Sequence, residues 1–202
     1  LMKFLRNDIA DPNYLRYIVR MLKSGVMIEG KYEDTSAGTP QGGLISPILA
    51  NVYLHYVLDL WFEKCIKKQL YGEAYLVRFA DDFLIMFQYE RDAQRVYEAV
   101  IKRMELFGLE LSKEKTRILP FGRYSGSRET FDFLGFTHFN SKTRKGYYTV
   151  GHKISCKKKK QFKSNLKKWV KENRNTQFDE FMKALNKKLT GSFNYYSLSG
   201  MI

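Results

Sequence analysis

The chain has 202 residues, 44% of them hydrophobic and 15% aromatic. That excludes a disordered or collagen-like chain and is enough to bury a core without disulfide or metal staples. With 35 Lys and Arg against 21 Asp and Glu, the formal net charge of +14 points to a polyanionic partner, either nucleic acid or an anionic membrane.

In chain order, residues 13–24 read as a short helix with Leu15, Ile18, Val19 and Leu22 on one side. A polar, turn-rich stretch follows over 29–43. Ser46-Pro47 then opens a long helix, with Ser46 as N-cap and Pro47 at the first helical position. The polar residues Asn51, His55, Asp59 and Glu63 recur every four positions along it. That stripe marks an amphipathic helix rather than a membrane span, and no other stretch reads as a span or a signal peptide. Two apolar runs, 75–79 and 83–87, flank Ala80-Asp81-Asp82 and predict a buried hairpin. The spacing of Ala93, Val96, Val100, Met104 and Phe107 predicts a helix over 91–107, ended by Gly108. A strand is expected near 116–119, then a second hairpin of 131–139 against 147–150.

From Ser155 the texture changes to helices with sparse apolar positions. One has Phe162, Leu166, Trp169 and Val170 among lysines, and the next has Phe178, Phe181, Met182, Leu185 and Leu189. Residues 113–174 hold 18 Lys and Arg against four Asp and Glu, so this one segment carries the whole charge imbalance. Read alone, the run is a solvated helix face or a polyanion surface. A domain boundary is expected near residue 152. Cys65 and Cys156 are too few and too far apart for a disulfide framework or a zinc knuckle, and as free thiols they fit a reducing, cytoplasmic setting.

Two motifs carry chemistry. At about 4 Å, the adjacent carboxylates Asp81 and Asp82 repel by roughly 1 kcal/mol in bulk water and by about 4 kcal/mol at an effective dielectric of 20. Apolar flanks make ionisation harder still. A divalent cation relieves both, and Mg²⁺ suits one or two carboxylates completed by water and phosphate oxygens. Alone, the pair reads first as an ordinary Asp-rich turn and only second as a metal site. The second motif is Gly38-Thr39-Pro40-Gln41-Gly42-Gly43, leading to Ser46-Pro47. Its glycines let backbone N–H groups approach a nucleotide closely at a helix N-terminus, or they simply serve a tight loop.

Taken in order, these motifs resemble those of group II intron-encoded reverse transcriptases. The resemblance rests on Thr39-Pro40-Gln41-Gly42-Gly43 with Ser46-Pro47 and on Phe79-Ala80-Asp81-Asp82. It rests also on Gly-Leu-Glu-Leu-Ser-Lys-Glu-Lys-Thr at 108–116 and Phe131-Asp132-Phe133-Leu134-Gly135-Phe136. The stretch 185–196, ending in Asn194-Tyr195-Tyr196, is similar to the family's thumb. The resemblance implies an α+β fold: a partial right-hand polymerase palm, an antiparallel sheet with helices, over 1–152, and an incomplete basic helical thumb over 153–202.

It also implies roles. Asp81 and Asp82 match the acidic pair of the family's metal site, served by Mg²⁺ or by Mn²⁺ in its place, with Asp81 the direct ligand. Pro40, Gln41 and Gly42, with Phe79 and Ala80, match substrate-binding positions. Lys115 matches a lysine near the triphosphate. Phe133, Leu134 and Gly135 match the element that grips the primer end. The implied reaction is two-metal phosphoryl transfer. Its partners are RNA template, DNA primer, deoxynucleoside triphosphates and intron RNA, with no membrane.

The chain departs from that pattern in three places. Phe79 stands where tyrosine is usual. The family's further aspartate on an earlier palm strand, and its fingers, have no counterpart: Asp8 and Asp11 read as loop or cap residues, so a missing segment or another chain is expected to complete the palm. A further thumb helix is also expected beyond the C-terminus.

Along the helix from Ser155, Lys157, Lys158, Lys159, Lys160, Lys163, Lys167, Lys168 and Lys171 cover more than one face. They suit the backbone of an A-form hybrid or structured RNA. Phe193, Tyr195 and Tyr196 either stack on bases or pack into the thumb. His55, His138 and His152 are dispersed and suggest no metal or acid–base role. Three readings follow: an RNA-directed DNA polymerase with a role in intron splicing, an RNA-binding segment with an incomplete metal site, and an inert fragment. For this polypeptide by itself, the second and third are favoured.

Overall fold

The structure, a computed structural model, describes residues 1–23, 26–28, 31–33, 45–112 and 114–197. It divides into two compact units, 1–118 and 119–202.

In the first unit, α1 spans Met2–Asp8 and α2 spans Pro12–Leu22. Asp11 is the N-cap of α2: its Oδ1 accepts from the N–H groups of Asn13 and Tyr14, and Pro12 takes the first helical position. The backbones of β1 (Val26–Ile28) and β2 (Lys31–Glu33) pair antiparallel. Helix α3 runs over Ser46–Leu54 with Ile45 as N-cap. Ser46 is therefore inside the helix rather than its cap, and the Ile45 side chain makes no capping hydrogen bond. Pro47 still marks the start, because its missing N–H costs nothing there.

Beyond α3 the helix widens. The N–H of Leu60 donates to the His55 carbonyl and that of Lys67 to the Phe62 carbonyl, both i→i+5 bonds. Such π turns are uncommon and frequent at functional sites. Arg103 Nε donates to the Val57 carbonyl of this stretch at 3.0 Å.

Strands β3 (Ala74–Phe79) and β4 (Asp82–Phe87) form an antiparallel hairpin, and α4 spans Glu90–Leu106. Val57 and Leu58 of the long helix pack on Val96, Val100 and Met104 of α4, with Leu76, Phe83, Ile85 and Phe87 of the hairpin against them. Burying such side chains contributes about 1.5–3 kcal/mol each. A second cluster joins Leu5, Ile18 and Leu49 from α1, α2 and α3. The hairpin was expected to be buried, but only one face is. Tyr75, Val77, Phe79 and Met86 on the other face are exposed.

Asp92, in the first turn of α4, is 2% exposed. Its Oδ2 accepts from the N–H groups of Tyr71 and Gly72 at 3.0 Å each, anchoring the turn that feeds β3. Removing this acceptor strands two backbone donors, so Asp92→Ala is expected to destabilise the first unit by about 2–4 kcal/mol. Urea unfolding followed at Trp61 checks it: an unchanged midpoint would show that water replaces the carboxylate without cost.

No strand forms at 116–119, contrary to expectation, and the described residues of 107–129 are irregular apart from turns. The short apolar stretch there finds no strand partner among the described residues.

In the second unit, the expected hairpin is a three-stranded sheet, β5 (Thr130–Phe133), β6 (Phe136–Lys142) and β7 (Tyr148–Ile154) in that order. A two-residue turn at Leu134-Gly135 splits what reads as one strand, 131–139. The expected boundary near 152 falls inside β7, and the division into compact units lies earlier, after Ile118. Ser155 caps α5 (Cys156–Asn173), its Oγ accepting from the Lys158 N–H, and α6 spans Phe178–Tyr196. Trp169 stacks on Phe181 with ring centroids 5.2 Å apart, joining the two helices. Phe136 is buried between His152, Tyr195 and Tyr196. No helix among the described residues is long and apolar enough to cross a membrane.

His138 and His152 are directly opposed across β6 and β7, with ring centroids 6.4 Å apart. Burial, and secondly the neighbouring His152, hold the His138 imidazole below the usual value of 6.5, against the Phe133 backbone and Asp132. The unfolded chain therefore binds its proton more readily than the folded one. The stability this neutral histidine contributes is present above 6.5 and is lost as pH falls below it. Denaturant midpoints for the second unit should drop between about pH 7.5 and about pH 5, and His138→Gln should flatten that dependence. An equal drop in the variant would assign it to other groups.

Candidate active site

The register of the first hairpin decides where each side chain goes. Ala74, Leu76 and Arg78 pair with Phe87, Ile85 and Phe83 and share the packed face. Phe79 pairs with Asp82 on the open face, leaving Ala80-Asp81 as a two-residue turn. Asp81 thus stands on the turn itself, while Asp82 is the first residue of β4. Both are exposed, as are Phe79 and Ala80. The flanking apolar runs turn only one face inward and do not enclose the carboxylates, which stand in water.

Ala80 has φ of +53°, the conformation that glycine normally supplies at the first position of a two-residue hairpin turn. For alanine this costs roughly 1–2 kcal/mol. Arg78 secures the turn. Its Nη1 donates to the Ala80 carbonyl and to Asn51 Oδ1, both at 2.8 Å. Its Nε and Nη2 donate to the two oxygens of Asp59 at 2.7 and 2.6 Å. The Asp59 hydrogen bonds raise the hold of Arg78 on its proton against a smaller opposing effect of burial. His55 Nδ1 lies 3.3 Å from the same Asp59 carboxylate.

Arg78, Asn51 and Asp59 are site residues that motif reading missed. The signal was present: a lone arginine inside an apolar run, and a polar stripe on the preceding helix.

The second hairpin tip repeats the device. Leu134 and Gly135 have φ of +51° and +86°, and a bulky residue at positive φ is an outlier. The Leu134 carbonyl accepts from Tyr195 Oη at 3.2 Å, and the Gly135 carbonyl from the Ser155 N–H at 3.0 Å. Phe133, Leu134 and Gly135 are thus brought against the start of α5 and the end of α6. Tyr195 and Tyr196 pack on Phe136, whereas Phe193 is open to solvent.

Lys157, Lys158, Lys159, Lys160, Lys163, Lys167 and Lys168 are all exposed on α5. Lys168 Nζ lies 3.8 Å from Glu172. Lys115 is exposed on a turn in which its N–H donates to the Ser112 carbonyl. No hydrogen bond or ion pair joins it to Asp81 or Asp82 among the described residues. Pro40, Gln41 and Gly42 lie outside the described residues.

The hard oxygen donors of Asp81 and Asp82, open to solvent, suit Mg²⁺, which binds through one or two carboxylates and completes its shell with water and phosphate. Among the described residues no group of three or more His, Cys, Asp or Glu side chains could hold a metal ion. The acidic pair by itself offers two carboxylates, a donor set that fits a magnesium ion.

A family model described as reverse transcriptase (RNA-dependent DNA polymerase) matches residues 6–138. An uncharacterised 91 kDa protein in the cob intron of Schizosaccharomyces pombe is 42% identical over 63 residues, 31% of this chain and 8% of that protein. The group II intron-encoded protein LtrA of Lactococcus lactis is 30% identical over 135 residues, 62% of this chain and 22% of LtrA. Protein YkfC of Escherichia coli is 26% identical over 199 residues, 82% of this chain and 49% of YkfC. The chain thus spans half or less of each of these relatives. The resemblance to group II intron proteins that the motifs carry is borne out. The matched segment contains both strained hairpin tips and the acidic pair, and the chain belongs to the reverse transcriptase (RNA-dependent DNA polymerase) family.

Proposed function

We propose that these residues form the palm and thumb part of an RNA-directed DNA polymerase of the group II intron type, with a role in binding intron RNA. The observation that carries this reading is the acidic pair, exposed at the tip of a strained hairpin within the segment matched by the family. Asp81 and Asp82 would hold the divalent ions, Mg²⁺ or Mn²⁺. The chemistry such ions supply, when bound, is activation of the primer 3′-hydroxyl and neutralisation of triphosphate charge.

The chain's own residues then bind and orient. Phe79 offers its ring beside the primer terminus. The loop of Pro40, Gln41 and Gly42 positions nucleotide and template. Lys115 offsets charge on the leaving pyrophosphate, and Phe133, Leu134 and Gly135 hold the primer end. The palm extends to about residue 152, so the β5–β7 sheet belongs to it by role although it packs with the helices that follow. The lysines of α5 hold the duplex backbone by charge and shape.

A second reading is an RNA-binding segment with no nucleotide transfer of its own. It is favoured by one observation: no third side chain joins the two carboxylates in a metal-sized group among the described residues. Primer extension on an RNA template with Mg²⁺, using the full-length gene product, separates the two. Template-dependent extension supports the polymerase. RNA binding without extension supports the second reading.

A further inference from the structure

We infer that Arg78 is a positioning residue: through Asp59 and Asn51 it fastens the Ala80 carbonyl, and so keeps the turn that carries Asp81 in the conformation in which the acidic pair receives a divalent cation. This rests on the reading of Asp81 and Asp82 as metal ligands.

A left-handed alanine persists only where its surroundings over-determine it. The ladder of β3 and β4 is two-stranded among the described residues; packing of its inner face on the helices steadies the strands, and at the turn itself the restraint comes from Arg78. Four of its five guanidinium N–H groups are engaged: two on Asp59, one on Asn51 and one on Ala80. Its side chain is 12% exposed. With its donors committed and its head group covered, Arg78 is not free to bind a phosphate. It acts on the site through the turn it holds.

The helix is shaped to receive it. In a regular α-helix, residues eight apart such as Asn51 and Asp59 lie about 80° apart around the axis. The wider turn at His55–Asp59 holds more residues per turn and swings Asp59 back toward the line of Asn51. One planar guanidinium then reaches both. Lysine, a point charge with three donors, cannot span the same three partners.

The test uses the labelled full-length gene product in solution, with Mn²⁺ alone as probe. In the unaltered chain, nuclear magnetic resonance should show the strong intraresidue amide–Hα peak of a positive φ at Ala80, and Mn²⁺ should broaden the Asp81 and Asp82 amides. In Arg78→Lys the Ala80 peak should weaken, and half-broadening should require about tenfold more Mn²⁺ or beyond. The α4 amides should stay in place, which a general loosening of the unit would not allow. Retention of both the Ala80 peak and the Mn²⁺ response would overturn the inference. Should Arg78→Lys fail to fold, Asp59→Asn is read by the same two signals. If the unaltered chain shows no broadening that Asp81→Asn removes, the metal reading falls. The Ala80 peak then decides the fastening on its own: its loss in Arg78→Lys upholds it, and its persistence sinks it.

Discussion

Asp81→Ala is expected to abolish template-directed nucleotide addition, lowering the primer-extension rate of the full-length gene product by at least about 10³-fold. Asp81 sits on the turn with its carboxylate in water, so its removal opens no cavity and the fold should be kept. On the proposed reading, what is lost is an oxygen ligand for the divalent cation that would neutralise charge on the transferring phosphoryl group. RNA binding measured in parallel should change little, because the positive face lies on α5. Asp82→Ala should have a smaller effect, since Asp82 belongs to β4 and stands opposite Phe79. Extension that survives Asp81→Ala would remove the acidic pair from the chemistry. A loss of RNA binding equal to the loss of extension would mean that the substitution damages the fold.

The second large effect concerns salt. Lys160, Lys163, Lys167 and Lys171 recur at i, i+3, i+7 and i+11 along α5, so they run down one side of the helix over about 16 Å. That spacing suits a series of phosphates. Replacing all four by glutamine should reduce the log–log salt slope of RNA–DNA hybrid binding by about 3, at roughly 0.7–0.9 for each phosphate left without its lysine. The fall in affinity should be greatest at low ionic strength and similar for unrelated sequences, because backbone contacts carry no base information. These lysines are exposed, and circular dichroism should be unchanged. A slope unaltered by the four substitutions would return the lysines to a solvated helix face. A change confined to one sequence would point to base readout instead.

Periodicity was a sound guide where a segment's structure depends on its own spacing of apolar residues. α2, α4, α5 and α6 could be read this way because the helical repeat and the sides it buries are local properties. The hairpin at 74–87 could be read because two apolar runs flank a short acidic turn. Other features depend on partners far along the chain. The apolar stretch at 116–119 has strand-like composition, but a strand exists only when a neighbour takes up its hydrogen bonds. The turn at Leu134-Gly135 was hidden because leucine is a poor residue for positive φ. It is held there by Tyr195, 61 residues away in sequence, and by the Ser155 N–H. Asp92 looked like an ordinary helix-start acid, yet it is buried under two N–H groups from residues 71 and 72.

By itself the sequence determined the basic charge and where it is concentrated, the helix periods, the acidic pair, and the ordered motifs that place the chain in its family. These depend on residue identity and short spacing. Only the tertiary structure decided which face of the hairpin is open, that both carboxylates stand in water, and that Arg78 reaches from β3 to Asp59 and Asn51 to hold the turn. A strained turn and a long-range ion pair are stabilised by atoms that chain order leaves far apart, so no local pattern could reveal them.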